Sequence, residues 1–268
     1  MYEELRSMGK ESSFIWPKDG YFYNIYSSKP FHIETNKLIE HRGEDSVWSE
    51  PVLFTDSSTV AIKADMPGGL GGSADDHVHY DFVEWWIILK GKLEFQIGNY
   101  EPFVASTNDI VSAPIGLRHL IISSANEQSV RLIIGVPGGS GHDNKKLKGS
   151  QDELLPKRNN PPNLIHNEMQ ETIKKFGNSC WSKTILKNQH TQAQLISETP
   201  DSINSSRYKD PFNQWYIVIQ GNIHFSFEKN DDINAVEGDI VYIPKDLTYN
   251  INSLGSKTSL RMSISKPR

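Results

Sequence analysis

Two histidines, His77 and His79, lie two residues apart in the segment DHVHY. On a β-strand, side chains at i and i+2 project from the same face, so both imidazoles can point at one spot. Glu84 begins the next apolar segment, and His119 comes from a separate segment, LRHLII. Three neutral imidazoles and one carboxylate suit a divalent first-row transition metal and leave positions open for substrate, water or dioxygen. Taken alone, such a histidine pair is more often two surface or hydrogen-bonded residues.

The segments that must position these residues have the composition of β-strands. Residues 59–66, 84–98, 109–116, 117–124 and 130–137 are rich in β-branched and aromatic residues, and turn residues bound them at short intervals. Strands of this length and spacing, with little helical periodicity, are typical of sandwiches and barrels. We therefore predict an all-β fold.

The sequence contains an internal repeat at an offset of 130 residues, without gaps. Residues 84–95 (EWWIILKGKLEF) align with residues 214–225 (QWYIVIQGNIHF), and residues 108–121 align with residues 238–251. The matches include a tryptophan, a glycine, the run Asp-Ile-Val and a proline, which chance rarely places at one fixed offset. We infer that the two halves are structural copies of each other.

The first copy resembles the cupin superfamily. Residues 71–91 fit the first cupin motif, G(x)5HxH(x)4E(x)6G, at every spacing, and residues 108–119 fit the second, G(x)5PxG(x)2H, except that Asn108 replaces a glycine. This departure concerns a turn rather than a ligand. The resemblance implies a bicupin, with two tandem RmlC-like barrels of the double-stranded β-helix, or jelly-roll, type. It also implies one metal site in the first barrel, with the ligands His77, His79, Glu84 and His119.

The second copy lacks all four ligand types. The alignment places Arg207 and Lys209 at the histidine pair, Gln214 at the glutamate and Tyr249 at the last histidine, and Asp246 replaces a motif glycine. Arginine and lysine offer no lone pair to a metal at neutral pH, so we expect no metal in this degenerate barrel. It would serve as a scaffold or a dimerisation unit. The two cations could form an anion pocket, although a salt-bridged or exposed barrel mouth is the more ordinary interpretation.

Alternation along the strands predicts what surrounds the metal. If Glu84 points inward, Trp86 does too and forms an aromatic wall. On the returning strand, the interior is shared either by Phe95 and Ile97 or by Glu94 and Gln96, and the sequence leaves both registers open. We select Gln96 as the polar pocket residue, so Trp86 and Gln96 are the candidate catalytic residues. The wall favours a ring-bearing or otherwise hydrophobic substrate with an oxygen function.

Other residues near the ligands are expected to serve ordinary packing. Tyr80, Phe82 and Arg118 are close to ligands in sequence, but adjacency on a strand usually means the opposite face. Cys180 has no cysteine or histidine partner at ligand spacing and is interpreted as a core or surface thiol. The remaining histidines receive no role: His32, His41, His142, His166, His190 and His224.

The chain is expected to divide into four parts. Residues 1–56 form an N-terminal segment that covers a barrel edge or completes the second barrel, and residues 57–137 form the first barrel. Residues 138–176 form a linker that begins with a Gly-rich, charged stretch and includes a short helix over residues 165–176. A helical turn is expected near residues 151–155. Residues 177–268 form the second barrel.

Composition narrows the class of partner. The 268 residues carry a net charge of -5 and no Lys/Arg-rich stripe, which argues against nucleic acid and for a small-molecule substrate. The longest apolar runs fall far short of the roughly 20 residues that span a bilayer. The polar, partly acidic N-terminus resembles no signal or transit peptide, so we expect a cytoplasmic protein. Exposed barrel faces often pair, which makes a homodimer an option.

The sequence is compatible with three functions, because cupin barrels support many reactions. The first is an Fe(II)-dependent dioxygenase, and the resemblance to cupin dioxygenases motivates it. The second is a non-redox isomerase, cyclase or lyase that uses one Mn, Ni or Zn ion per chain as a Lewis acid. The third is a non-catalytic bicupin that only binds a small molecule.

Overall fold

The computed structural model describes residues 27–43, 47–67, 76–123, 127–139, 162–200 and 207–268. These residues form nineteen β-strands and two short α-helices, which confirms the predicted all-β class. Neither helix in this part of the chain is long and apolar enough to cross a membrane. His142 and the helical turn expected near residues 151–155 lie outside the described residues.

The first half of the chain contains one helix and ten strands. They are β1 (Phe31–Ile33), α1 (Thr35–Arg42), β2 (Trp48–Phe54), β3 (Thr59–Asp65), β4 (Asp76–His77), β5 (Glu84–Lys90), β6 (Lys92–Ile97), β7 (Phe103–Ser106), β8 (Ile110–Ala113), β9 (His119–Ser123) and β10 (Ser129–Gly135). The second half contains one helix and nine strands. They are β11 (His166–Asn167), α2 (Met169–Phe176), β12 (Trp181–Lys187), β13 (Gln192–Glu198), β14 (Gln214–Gln220), β15 (Asn222–Phe227), β16 (Ile233–Ala235), β17 (Ile240–Ile243), β18 (Tyr249–Leu254) and β19 (Ser259–Ser265).

The first compact unit comprises residues 42–51 and 59–172. It contains a sheet of strand order β11-β8-β5-β10-β3-β2 and a four-stranded sheet of order β4-β9-β6-β7. Inward side chains of both sheets build one hydrophobic core because each strand alternates its faces. The buried members of this core are Trp86, Ile88, Leu93, Phe95, Ile97, Ala105, Val111, Ala113, Leu117, Ile121 and Ile165.

The second compact unit comprises, of the residues that the structure describes, residues 27–41, 52–58, 173–200 and 207–268. Its sheets have the orders β1-β17-β14-β19-β13-β12 and β16-β15-β18. The core again lies between inward faces, and its buried members are Tyr216, Val218, Ile223, Phe225, Phe227, Ala235, Val241, Ile243, Tyr249 and Ile251.

The internal repeat is also visible in where the strands begin and end. Strands β5, β6, β8 and β10 match β14, β15, β17 and β19 at the offset of 130 residues, with identical lengths. The turns match as well, because Asn108 (φ 74°) and Asp246 (φ 63°) adopt the same left-handed backbone as Gly238 (φ 89°) and Gly116 (φ 79°) in the other copy. Asn and Asp are the residues that tolerate this conformation best after glycine. The departures from the motif glycines therefore preserve the turns.

In each unit a short strand, called an arm here, pairs with the edge of the larger sheet and is also attached to it by a contact between a histidine and an aspartate. In the second unit, β1 pairs with β17, and His32 Nε2 lies 2.8 Å from Asp239 Oδ2. In the first unit, β11 pairs with β8, and His166 Nε2 lies 3.1 Å from Asp109 Oδ2. These two histidines, to which the sequence assigned no role, thus have a structural one.

The helix predicted over residues 165–176 is shorter than expected. Residues 165–167 join the sheet instead, since the Ile165 carbonyl accepts a hydrogen bond of 2.8 Å from the Ser112 N–H and β11 pairs with β8. Helix α2 therefore begins at Met169. The physical reason is that a buried edge of β8 offers backbone partners, which outweigh the local helical preference of these residues.

Asp109 is expected to make the stability of the first unit depend on pH. Burial opposes its ionisation, but hydrogen bonds from His166 and from the N–H groups of Ser106 and Met169 outweigh burial and hold its pKa below the ordinary value. Its contribution should be complete above about pH 4 and should be lost as the pH falls through the lowered folded-state pKa. Urea unfolding of Asp109→Asn should show a loss of about 1–3 kcal/mol at pH 7 and a shallower decline between about pH 4 and pH 2.

The exposed Glu101 provides the control for this measurement. Glu101→Gln should unfold like the unchanged protein at pH 7. If Asp109→Asn declined in acid as steeply as the unchanged protein, another carboxylate would be responsible for the acid sensitivity.

Candidate metal centre

The four ligand-type residues meet at one point in the first unit. His77 ends β4, Glu84 begins β5 and His119 begins β9, while His79 follows β4 by two residues. One ligand atom from each residue lies within 4.8 Å of all the others. His119 Nε2 is 2.9 Å from both Glu84 Oε2 and His77 Nε2, and His79 Nε2 is 3.5 Å from the same carboxylate oxygen. All four side chains are buried.

Strand pairing explains this convergence. β4 and β9 are antiparallel neighbours, and His77 is the direct cross-strand partner of His119. Side chains of directly opposed residues lie on the same face of a sheet, so both imidazoles face the barrel interior. The backbone of His79 is attached to the turn between β8 and β9, because the His79 carbonyl accepts a hydrogen bond of 2.7 Å from the Gly116 N–H.

The electrostatics of the cluster favour an ionised carboxylate beside neutral imidazole. Burial opposes ionisation of Glu84, but hydrogen bonds with His119, His77 and His79 outweigh it and hold the glutamate pKa well below its usual range. Burial also lowers the pKa of His119, so this ring is neutral at pH 7. The two effects leave Glu84 anionic and His119 able to offer a lone pair.

A backbone carbonyl fixes which nitrogen of His119 can act as a ligand. His119 Nδ1 lies 3.2 Å from the Leu117 carbonyl oxygen, and a proton on Nδ1 that donates to this oxygen leaves the lone pair of the neutral ring on Nε2. That lone pair faces Glu84 Oε2 and His77 Nε2. A divalent cation among these atoms would replace the proton that His119 Nε2 otherwise donates to Glu84 Oε2. The donor set therefore fits a divalent metal, and the carbonyl acts as an orienting partner of the kind that metal-binding histidines use.

Aromatic rings flank the cluster. The Trp86 ring centroid lies 5.2 Å from that of His119, in an edge-on arrangement, which agrees with the inward direction expected for Trp86. The Phe82 ring lies 4.1 Å from His79. The sequence prediction that Phe82 faces away from the ligands is therefore wrong, because residues 80–82 form a bend rather than a strand and alternation does not apply to them.

The prediction of Gln96 as a pocket residue requires correction. Along β6, Leu93, Phe95 and Ile97 are fully buried in the core cluster, whereas Gln96 is only half-buried on the alternate face. The structure thus selects the apolar register, since it buries three large side chains at no cost in unpaired polar groups. Of the two candidate catalytic residues, Trp86 lies against the site and Gln96 does not.

An ion pair behind the ligands was missed by the sequence reasoning. Arg118 donates to Asp76 through Nε and one terminal nitrogen, at 2.7 and 2.6 Å. Arg118 directly precedes His119, the first residue of β9, and Asp76 directly precedes His77 within the paired strand β4. Opposite charges immediately before two candidate ligands were the available signal. The pair bridges the two strands that carry those ligands.

We expect this ion pair to position the metal ligands. Arg118→Ala should lower metal affinity about tenfold, within the range typical of residues that orient metal ligands, with little loss of stability because the pair is partly exposed. Chelator competition measures the affinity. Exchanging the two charges, Asp76→Arg with Arg118→Asp, should restore most of it. An unchanged affinity in Arg118→Ala would show that β-sheet pairing alone holds the ligands.

The equivalent positions of the second unit contain a different arrangement. Arg207 is exposed and pairs with Glu228 at 2.9 Å, and Lys209 is also exposed. Gln214 and Tyr249 are buried and bonded to each other, with the Tyr249 hydroxyl 2.6 Å from Gln214 Oε1. Hydrogen bonds between neutral groups thus replace the ligand cluster.

No protein-family model and no curated protein matches this sequence. Solved structures, in contrast, share its fold. A cupin 2 conserved barrel domain protein from Leptotrichia buccalis superposes with a TM-score of 0.63 at 13% identity, over 90% of this chain and 97% of that chain. Oxalate decarboxylase from Bacillus subtilis, studied there for its Mn(II) centres, superposes with a TM-score of 0.53 at 14% identity, over 84% of this chain and 74% of that chain.

These similarities and the strand arrangement define the class: the chain has the all-β cupin fold. Its first unit carries four clustered residues that could hold one metal ion.

Proposed function

We propose that this chain is a metal-dependent cupin enzyme that oxidises a small, ring-bearing or carbonyl-containing molecule with dioxygen. The observation that supports the proposal is the buried cluster of three imidazoles and one carboxylate against an aromatic wall. His77, His79, Glu84 and His119 would hold the ion. Iron(II) bound there would supply the one-electron chemistry that allows dioxygen to react with an organic substrate.

The residues around the ion would divide the remaining tasks. Glu84 supplies the negative charge, and the Leu117 carbonyl keeps the Nε2 lone pair of His119 directed at the centre. The rings of Trp86 and Phe82 lie against His119 and His79. They would exclude water and stack on an apolar or ring-bearing substrate, which leaves its oxygen function to meet the ion.

Oxygen consumption tests this proposal. The purified chain, loaded with iron(II), should consume dioxygen with a member of a panel of catechols, flavonols and β-diketones, and Glu84→Gln should abolish the uptake. Turnover should stop under anaerobic conditions. A chain that takes up no metal would instead support a non-catalytic binding protein.

A non-redox lyase, isomerase or cyclase is the second candidate. The structural similarity to oxalate decarboxylase, a protein with Mn(II) centres, favours a manganese-dependent lyase among these three. In this case the ion would act as a Lewis acid on a carboxylate or carbonyl group. Equal turnover with and without dioxygen, in a manganese-loaded chain, would support this candidate against the first.

A further inference from the structure

The second unit contains a cavity of about 260 Å³, although it lacks the metal ligands. Its walls come from β13, β14, β18 and β19, and its inner end includes Gln214 and Tyr249, which occupy two of the positions that carry ligands in the first unit. This volume is close to the lower end of the roughly 300–1,000 Å³ typical of small-molecule pockets. The cavity therefore suits a small metabolite.

The floor of this cavity is a triangle of oxygen atoms. The hydroxyls of Tyr216 and Tyr249 lie 2.7 and 2.6 Å from Gln214 Oε1 and 2.7 Å from each other. Gln214 Nε2 donates to Asp210 at 2.7 Å, and this bond directs the amide oxygen towards the hydroxyls. Burial raises the pKa of both tyrosines, so both hydroxyls keep their protons at neutral pH.

The floor can accept more hydrogen bonds than it can donate. Two tyrosine protons serve three oxygen–oxygen contacts, and Ser263 places one further hydroxyl beside Tyr216. Each of these oxygens carries two lone pairs, so acceptor positions are left over even when every hydroxyl donates. A hydroxyl group of a ligand is the donor that would complete this floor.

The rim of the cavity is positive. Lys209, Lys266 and Arg268 line it, and the one acidic side chain among the lining residues, Asp210, is bound by Arg268. Lys266 Nζ lies 3.6 Å from Asp56, a long ion pair between partly exposed groups. Lys209 has no carboxylate at ion-pair distance among the residues that the structure describes. Positive charge thus remains available to an anionic group entering the cavity.

We propose that this cavity binds a small polyhydroxylated carboxylic acid without the help of a metal. Its hydroxyls would donate to the oxygens of Gln214, Tyr216 and Tyr249, and its carboxylate would lie near Lys209 and Lys266. The amides of Gln192 and Gln194, which also line the cavity, can donate to and accept from further hydroxyls. The second unit is then a ligand-binding module in its own right.

Three six-carbon probes separate the two halves of this recognition. Gluconate carries both hydroxyls and a carboxylate, sorbitol carries only the hydroxyls, and hexanoate carries only the carboxylate. Isothermal titration calorimetry of the full chain should show gluconate binding at least about tenfold more tightly than either of the others. Absence of gluconate binding, or equal affinity for sorbitol, would overturn the proposal.

Variants locate the binding. Lys209→Gln with Lys266→Gln should lower gluconate affinity at least about tenfold, whereas Lys257→Gln, in the exposed turn between β18 and β19, should not change it. Tyr249→Phe removes one oxygen of the cavity floor and should weaken the binding of gluconate as well. Glu84→Gln should bind gluconate like the unchanged chain. Loss of binding in Glu84→Gln would place the ligand in the first unit and overturn the assignment, as would full affinity in the double lysine variant.

Discussion

Glu84→Gln should purify with almost no bound metal, while the unchanged chain holds about one ion per chain. Glutamine keeps the size of the side chain but removes the negative charge that balances the cation and makes the carboxylate a ligand. Since residues that merely orient ligands already alter affinity 10–100-fold, loss of a ligand should lower it by at least about a hundredfold. Elemental mass spectrometry after dialysis measures the content, and chelator competition measures the affinity.

Two controls make this result specific. Glu94→Gln makes the same chemical change in the same unit, on the outer face of β6, and should keep the metal. Gln214→Ala alters the position of the second unit that aligns with Glu84, and should also keep it. A metal content that falls in Gln214→Ala, or that persists in Glu84→Gln, would contradict a single site built on Glu84.

Asp65→Asn should destabilise the first unit by about 3–5 kcal/mol, because it leaves a buried guanidinium without its counter-charge. Arg131 on β10 and Asp65 on β3 form an ion pair, and both side chains are almost fully shielded from solvent. Urea unfolding followed by tryptophan fluorescence measures the effect, since Trp85 and Trp86 lie in this unit. Asp76→Asn, which breaks a partly exposed ion pair, should cost no more than about 1 kcal/mol.

A double variant tests the cause of this loss. Asp65→Ala with Arg131→Met removes both charges of this pair and should recover much of the stability, since neither the guanidinium nor the carboxylate is left buried without the other. If the double variant were no more stable than Asp65→Asn, packing rather than charge would be responsible. The second unit offers a comparison, because Arg261 on β19 is buried and donates to Glu198 at 2.7 and 2.9 Å.

The two buried arginines show which part of an ion pair the internal repeat can predict from sequence and which part it cannot. Arg131 and Arg261 are separated by the same 130 residues as the other matches. Their carboxylate partners, Asp65 and Glu198, differ in residue type and lie outside that offset. A conserved offset can reveal one member of a pair in each copy, but the partner comes from a strand distant in sequence, and only strand pairing brings it close.

Local chemistry and spacing determined the all-β class, the two copies, and the asymmetry between His77, His79, Glu84 and His119 in one copy and their replacements in the other. These features depend on residue type and on the two-residue period of a strand, both of which can be read along the chain. Asn108 and Asp246 could likewise be expected to occupy left-handed turns, since their side chains tolerate them.

The tertiary structure alone decided the register of β6, the contact of Phe82 with His79, the Asp76–Arg118 pair and the two histidine–aspartate arms. A strand with period two permits either face to turn inward, and the choice depends on the total burial achieved when two sheets close on each other. Contacts such as that of His166 with Asp109 join residues far apart in sequence, so their selection depends on the packing of the whole unit. The same closure forms the second cavity from side chains that carry no motif.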